Sequence, residues 1–123
     1  MNALGVHVLL ELKECNPALL DDLEYVKKVM VEAAQEVGAT IIGESFHRFS
    51  PQGVTGVLAI AESHISIHTW PEFRYAAADI FTCGAAIKPK IAAQYLIEKF
   101  ECRKPGMSEI FRGTEVLAPV GPR

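Results

Sequence analysis

The sequence predicts a single α+β domain in which two helices cover one face of an antiparallel sheet, in the order βαββββαβ. Three observations lead there. Residues 5–14, "GVHVLLELKE", alternate apolar and polar. Leu19, Leu23, Val26, Met30, Ala33 and Val37 then recur at steps of four and three. From residue 39 to 84, strand-like runs follow one another with only short turns between them. The first pattern has the period of a half-buried strand, the second that of an amphipathic helix, and short turns join antiparallel neighbours.

Each element has a local reason. Val6, Val8, Leu10 and Leu12 share one face of the first strand, with His7, Glu11 and Lys13 on the other. Asn16-Pro17 reads as a helix cap followed by a proline at the first helical position, with Asp21 and Asp22 close behind and Gly38 as the stop. "ATIIGESFHRF" (39–49) is a second strand, "SPQG" (50–53) a turn and "VTGVLAIA" (54–61) a third strand. "SHISIHTW" (63–70) is the fourth, "PEFR" (71–74) turns the chain, and "YAAADIFTCG" (75–84) is the fifth. A second helix begins near Pro89 and runs through Ile91, Tyr95 and Phe100, and the tail from Met107 supplies one more short strand. With helices on one face only, the other face calls for a partner, and a homodimer is expected.

Composition narrows the function. Of 123 residues, 50% are hydrophobic and 22% charged, which suits one folded core rather than a disordered chain. The net charge of −3 argues against nucleic acid, whose phosphates need clustered Lys and Arg. No apolar run approaches the ~20 residues of a membrane span and no basic-then-apolar leader opens the chain, so a cytoplasmic location is expected. Cys15, Cys83 and Cys102 are odd in number, scattered, and contain no CxxC, which disfavours both a disulfide framework and a zinc site.

The stretch "AESHISIHTW" (61–70) puts Ser63, His64, His68 and the only tryptophan, Trp70, where apolar residues could stand. If the following hairpin turns symmetrically around residues 72–74, opposed residue numbers sum to about 146, and Ser63 faces Cys83. His68 lies five residues past Ser63, roughly 16 Å along a strand at ~3.3 Å per residue, so it cannot serve Ser63 unless the strand bends or a second subunit supplies it. The same spacing separates His64 from His68 by about 13 Å, too far for one ion. A His/Cys metal cluster using His7, His47 or Cys83 is disfavoured, and no metal is expected. Periodicity alone also allows a plainer reading, in which His64, Ser66 and His68 are the polar half of an amphipathic strand and Trp70 fills an interface.

The combination "ESHISIHTWPE", together with "LGVHVLLELKEC", "GATII", "FHRF", "PQGVTGV" and "YAAADIFTCG", resembles the short prokaryotic S-adenosylmethionine decarboxylases across residues 4–84. These pyruvoyl-dependent enzymes supply aminopropyl groups for spermidine. The resemblance implies a layered α/β sandwich that pairs into dimers and a proenzyme that cuts itself between Glu62 and Ser63, leaving chains 1–62 and 63–123. Ser63 would become the pyruvoyl group that forms a Schiff base with the substrate, with no pyridoxal phosphate. His68 would act as the processing base and Cys83 as the proton donor in turnover. Thr55 would support processing at the oxyanion, at a position where relatives usually carry serine. Phe49 and Trp70 would line the adenine site and Glu72 would accept the ribose hydroxyls; read as residues alone, Phe49 equally suits the core and Glu72 a turn. Ser63 and Cys83 would come from one subunit, with His68 and Thr55 from the other. Two rivals stand beside this reading: a pyruvoyl-dependent arginine decarboxylase of the same family, and a dimeric binding module that never matures.

Overall fold

The computed structural model describes residues 3–84 and 87–121. Strand β1 (Gly5–Lys13) is followed by α1 (Pro17–Leu20), α2 (Leu23–Glu36), β2 (Ile41–Arg48), β3 (Val54–Ile60), β4 (Ser63–Trp70), β5 (Tyr75–Cys83), α3 (Pro89–Lys99) and β6 (Lys104–Arg112), with a 3-10 turn at Pro71–Phe73. The strands form one sheet in the order β2-β3-β4-β5-β1-β6, and every neighbouring pair is antiparallel. The predicted α+β architecture, with its helices on one face, is the one observed.

Two aspartates break the first predicted helix in two. Asn16 caps α1, its Oδ1 accepting from Ala18 N at 3.0 Å, with Pro17 at the first helical position. Asp22 then leaves helical geometry, at φ −98 and ψ 101, so that its carboxylate accepts the Tyr25 N–H at 3.1 Å and starts α2 afresh. The apolar stripe from Leu19 to Val37 hid this break, because burial continues across it while the backbone turns. The α2 helix closes as expected at Gly38. There φ is +69, and Ala39 N donates to Ala34 O at 3.0 Å, the wrap-around bond of a left-handed cap.

Val8, Leu10 and Leu12 of β1, Leu58 of β3, Ile65 and Ile67 of β4 and Ile80 of β5 are fully buried against Val26, Met30 and Ala33 of α2 and Leu96 and Phe100 at α3. Among the described residues, no helix covers the opposite face of the sheet, and Leu9, Val57, Trp70 and Ile110 are 38–46% exposed there. The tail strand is longer than expected: β6 spans nine residues, starts before Met107, and pairs along the whole of β1. Among the described residues, no helix is long and apolar enough to cross a membrane.

The β4–β5 register differs from the symmetric expectation by one residue. Trp70 pairs with Tyr75 and His64 with Phe81, because four residues, 71–74, make the turn and Arg74 closes it at φ 53. A shift of one reverses which faces meet. Ser63 therefore shares the helix-covered side with Ile65 and Ile67. Cys83 shares the open side with Phe81 and Asp79, instead of standing opposite Ser63.

Candidate active site

Five of the residues singled out from the sequence gather at one end of the open face. Phe49, Thr55, His68, Trp70 and Glu72 line a shallow depression of about 280 Å³, together with Gln52, Gly53 and Thr69. Thr55 and His68 are directly opposed in the β3–β4 ladder, and their Oγ1 and Nδ1 atoms lie 3.1 Å apart. Phe49 is 48% exposed, so it is not a core residue; its ring meets His47 edge-on, with centroids 4.5 Å apart. Trp70 stacks on Tyr75 at 5.4 Å, and the Tyr75 hydroxyl donates to the Glu11 carboxylate at 2.8 Å. Burial and that carboxylate push the Tyr75 phenol up to about 12. The result is two accessible aromatic faces, a carboxylate on the turn and a hydroxyl–imidazole pair.

The loop carrying Phe49 is held from behind. Phe49 N donates to Gly53 O at 2.8 Å, and Gly53 sits at φ +102. The Asp21 carboxylate accepts Gly53 N–H at 2.9 Å through Oδ1 and an Arg48 guanidinium N–H at 2.7 Å through Oδ2. The Gly53 N–H and Arg48 together hold the Asp21 carboxyl below its ordinary value. Beside them, the buried Thr69 hydroxyl donates to Leu20 O and accepts from Val54 N, both at 2.8 Å. The sequence reading gave Asp21 and Asp22 a shared helix-start role; the structure gives them separate jobs.

The suspected cut site lies at the other end of β4. Ile60 pairs with Ser63 across a two-residue turn of Ala61 and Glu62, and Glu62 adopts φ 59, a left-handed conformation that costs a side-chain-bearing residue of order 1–3 kcal/mol. The Ser63 Oγ is buried and has no hydrogen-bond partner among the described residues. Cys83 ends β5 half-buried on the open side. The structure thus brings Thr55, His68, Phe49, Trp70 and Glu72 together but leaves Glu62 and Ser63 a strand's length away, since residues 63 and 68 lie about 16 Å apart on a straight strand.

Between these ends lies a polar cluster that sequence reasoning missed. His7 Nε2 is 2.7 Å from Asp79 Oδ2, His64 Nε2 is 3.7 Å from the same oxygen, and the Ser66 hydroxyl donates to Asp79 Oδ1. Burial raises the Asp79 pKa, but Ser66, His7 and His64 outweigh it and hold the carboxyl below its ordinary value. The ligand-type atoms of His7, His64 and Asp79 lie within 4.8 Å of one another, so the three could hold a cation as well as bond to each other. The signal in the sequence was Asp79 itself, the lone charge within "YAAADIFTC".

Comparison with known proteins identifies the family and the fold. A sequence profile of the S-adenosylmethionine decarboxylase family matches residues 6–113. The chain is 59% identical over 113 residues to the S-adenosylmethionine decarboxylase proenzyme of Thermodesulfovibrio yellowstonii, covering 92% of this chain and 84% of that one. It is 50% identical over 113 residues to the proenzyme of the same name from Acetivibrio thermocellus, covering 92% and 91%. The fold superposes on the crystal structure of the adenosylmethionine decarboxylase from Aquifex aeolicus with a TM-score of 0.87 at 30% identity, covering all of both chains.

Proposed function

The chain belongs to the S-adenosylmethionine decarboxylase family, and from that premise we propose that it cuts itself at Glu62–Ser63 and works as a pair of chains joined across the open sheet face. It is a pyruvoyl-dependent decarboxylase, formed as a proenzyme, that releases CO2 from S-adenosylmethionine and leaves the aminopropyl donor for spermidine. The observation that carries the cut site is the hairpin tip. A strained Glu62 directly precedes a serine whose buried hydroxyl has no hydrogen-bond partner among the described residues. That free hydroxyl fits the origin of the prosthetic group.

The residue chemistry follows from this placement. Ser63 Oγ attacks the Glu62 carbonyl carbon, and the peptide becomes an ester as the amine leaves. The Thr55 hydroxyl donates to the oxyanion that forms on the way. His68 removes the Ser63 α-proton, the Cβ–O bond breaks, and Glu62 departs as a carboxylate. The dehydroalanine left at residue 63 takes up water and loses ammonia. The pyruvoyl group so formed would supply a ketone that joins covalently to the substrate amine, with loss of water, and through that link would take up the electron pair left by the departing CO2. Phe49 and Trp70 present faces suited to adenine, Glu72 accepts the ribose hydroxyls, and the Cys83 thiol returns a proton to the substrate carbon.

Reach explains the pairing. Ser63 and His68 of one chain are too far apart to cooperate. A two-fold axis running across the strands, between two sheets stacked on their open faces, lays the Ser63 end of one β4 over the Trp70 end of the other. The half-exposed Leu9, Val57 and Ile110 would then be covered. The Ser63 side chain points to the helix side in the uncut chain, so Thr55 and His68 of the second chain act on its backbone from the open side, and cutting then lets the new terminus rotate toward Cys83.

Intact mass under denaturing conditions tests the reading. Two fragments, 1–62 and 63–123, with the second blocked at its amino end, are expected, along with CO2 release from carboxyl-labelled S-adenosylmethionine and none from labelled arginine. A folded wild-type chain that stays whole refutes it.

A further inference from the structure

The described residues hold two buried side-chain oxygens with no hydrogen-bond partner, Ser63 Oγ and Thr82 Oγ1. Continuing the β4–β5 register one step past His64–Phe81 makes these residues cross-strand neighbours on the helix-covered side. Directly opposed residues of an antiparallel pair carry their Cβ atoms about 4.5–5.5 Å apart. Thr82 is 1% exposed, so bulk solvent does not reach its hydroxyl. Buried hydroxyls are nearly always satisfied, and an orphan beside a reacting group calls for a reason.

We propose that Thr82 is a positioning residue for self-cutting: its Oγ1 accepts the Ser63 O–H when the serine turns to attack, and so aims the oxygen lone pair at the Glu62 carbonyl. This rests on the proposed cut at Glu62–Ser63 and adds a residue to it. In the resting chain neither hydroxyl has a partner among the described residues, which raises the energy of the starting state. A serine already bonded to a strong acceptor would have to break that bond before attacking. The β-branched Thr82 is stiff at χ1, so its oxygen keeps one direction. Once residue 63 is a pyruvoyl, Thr82 has no further role in making it.

A hydroxyl kept for packing and one kept for cutting predict different variants. Thr82→Val preserves shape and removes an unsatisfied buried oxygen. In a Ser63→Ala background, which cannot cut, Thr82→Val should therefore raise Tm by a few degrees. With Ser63 present, it should slow cutting about tenfold, followed by denaturing gels after refolding. Thr82→Ser should cut near the wild-type rate, whatever the folding behaviour of the valine variant. A Thr82→Val chain that cuts as fast as wild type, or a Thr82→Ser chain that cuts as slowly as Thr82→Val, overturns the inference alone. A wild-type chain that stays whole in the same assay overturns the function reading on which it stands.

Discussion

The Thr69 hydroxyl ties the end of α1 to β3 and to its own strand beside the depression. Replacing Thr69 with valine therefore tests whether the site is held from behind as described. The hydroxyl donates to Leu20 O and accepts from Val54 N, and the residue is 6% exposed. Valine keeps the shape and leaves both backbone partners buried and unpaired. At about 1–3 kcal/mol for each unsatisfied group, with some relaxation, the loss is about 2–4 kcal/mol. An unfolding entropy of about 2.1 cal/mol/K per residue implies about 4 °C for each kcal/mol in a chain of this length, so Tm should fall by about 8–16 °C. Thr69→Ser keeps the hydroxyl and loses a methyl, a cost of about 1 kcal/mol or about 4 °C. Scanning calorimetry on the uncuttable Ser63→Ala chain, at fixed protomer concentration, avoids mixing unfolding with separation of the fragments. If valine costs no more than serine, the two bonds through Thr69 do not hold this corner and the reasoning fails.

Other outcomes follow from the same geometry. His68→Ala should slow self-cutting by about a hundredfold or more on a gel time course, and normal maturation would remove it as the base. Cys83→Ala should be cut yet turn over S-adenosylmethionine at least about a hundredfold more slowly, which a CO2-release assay measures. Burial, reinforced by Cys102, pushes the Cys15 thiol up to about 12, so alkylation near about pH 8 should leave Cys15 unmodified by mass spectrometry until the chain unfolds. Asp21 and Asp79 both have carboxyls held below the ordinary value of 3.8 in the folded state. Their contribution to stability is complete above that value and is lost as pH falls through the lower folded ones. Urea unfolding between about pH 6 and about pH 3 should therefore show a shallower pH dependence in Asp79→Asn than in the parent chain.

Period and punctuation made the fold legible: alternation in β1 and β4, the three-four stripe of α2, and Gly38 as its stop. The exceptions were decided by competition for single backbone groups. Asp22 captured the Tyr25 N–H and broke a helix whose apolar stripe ran on unbroken. The length of β6 followed from an unpaired edge on β1, which the alternation of its own residues does not signal.

The site shows where such reading stops. Thr55, His68, Phe49, Trp70 and Glu72 were found through a motif, and strand pairing then brought them together. His7, Asp79 and Thr82 lie far from the motif's centre in sequence and reach the site only through the ladders. Most consequential was the parity of one turn. Three residues between β4 and β5 would have set Ser63 beside Cys83 on one face, whereas the four observed put them on opposite faces. On the proposed cut, the break after residue 62 would both create the electron-accepting group and free it to turn toward Cys83. Self-cutting at the proposed bond would then be a change of face as well as a change of bond.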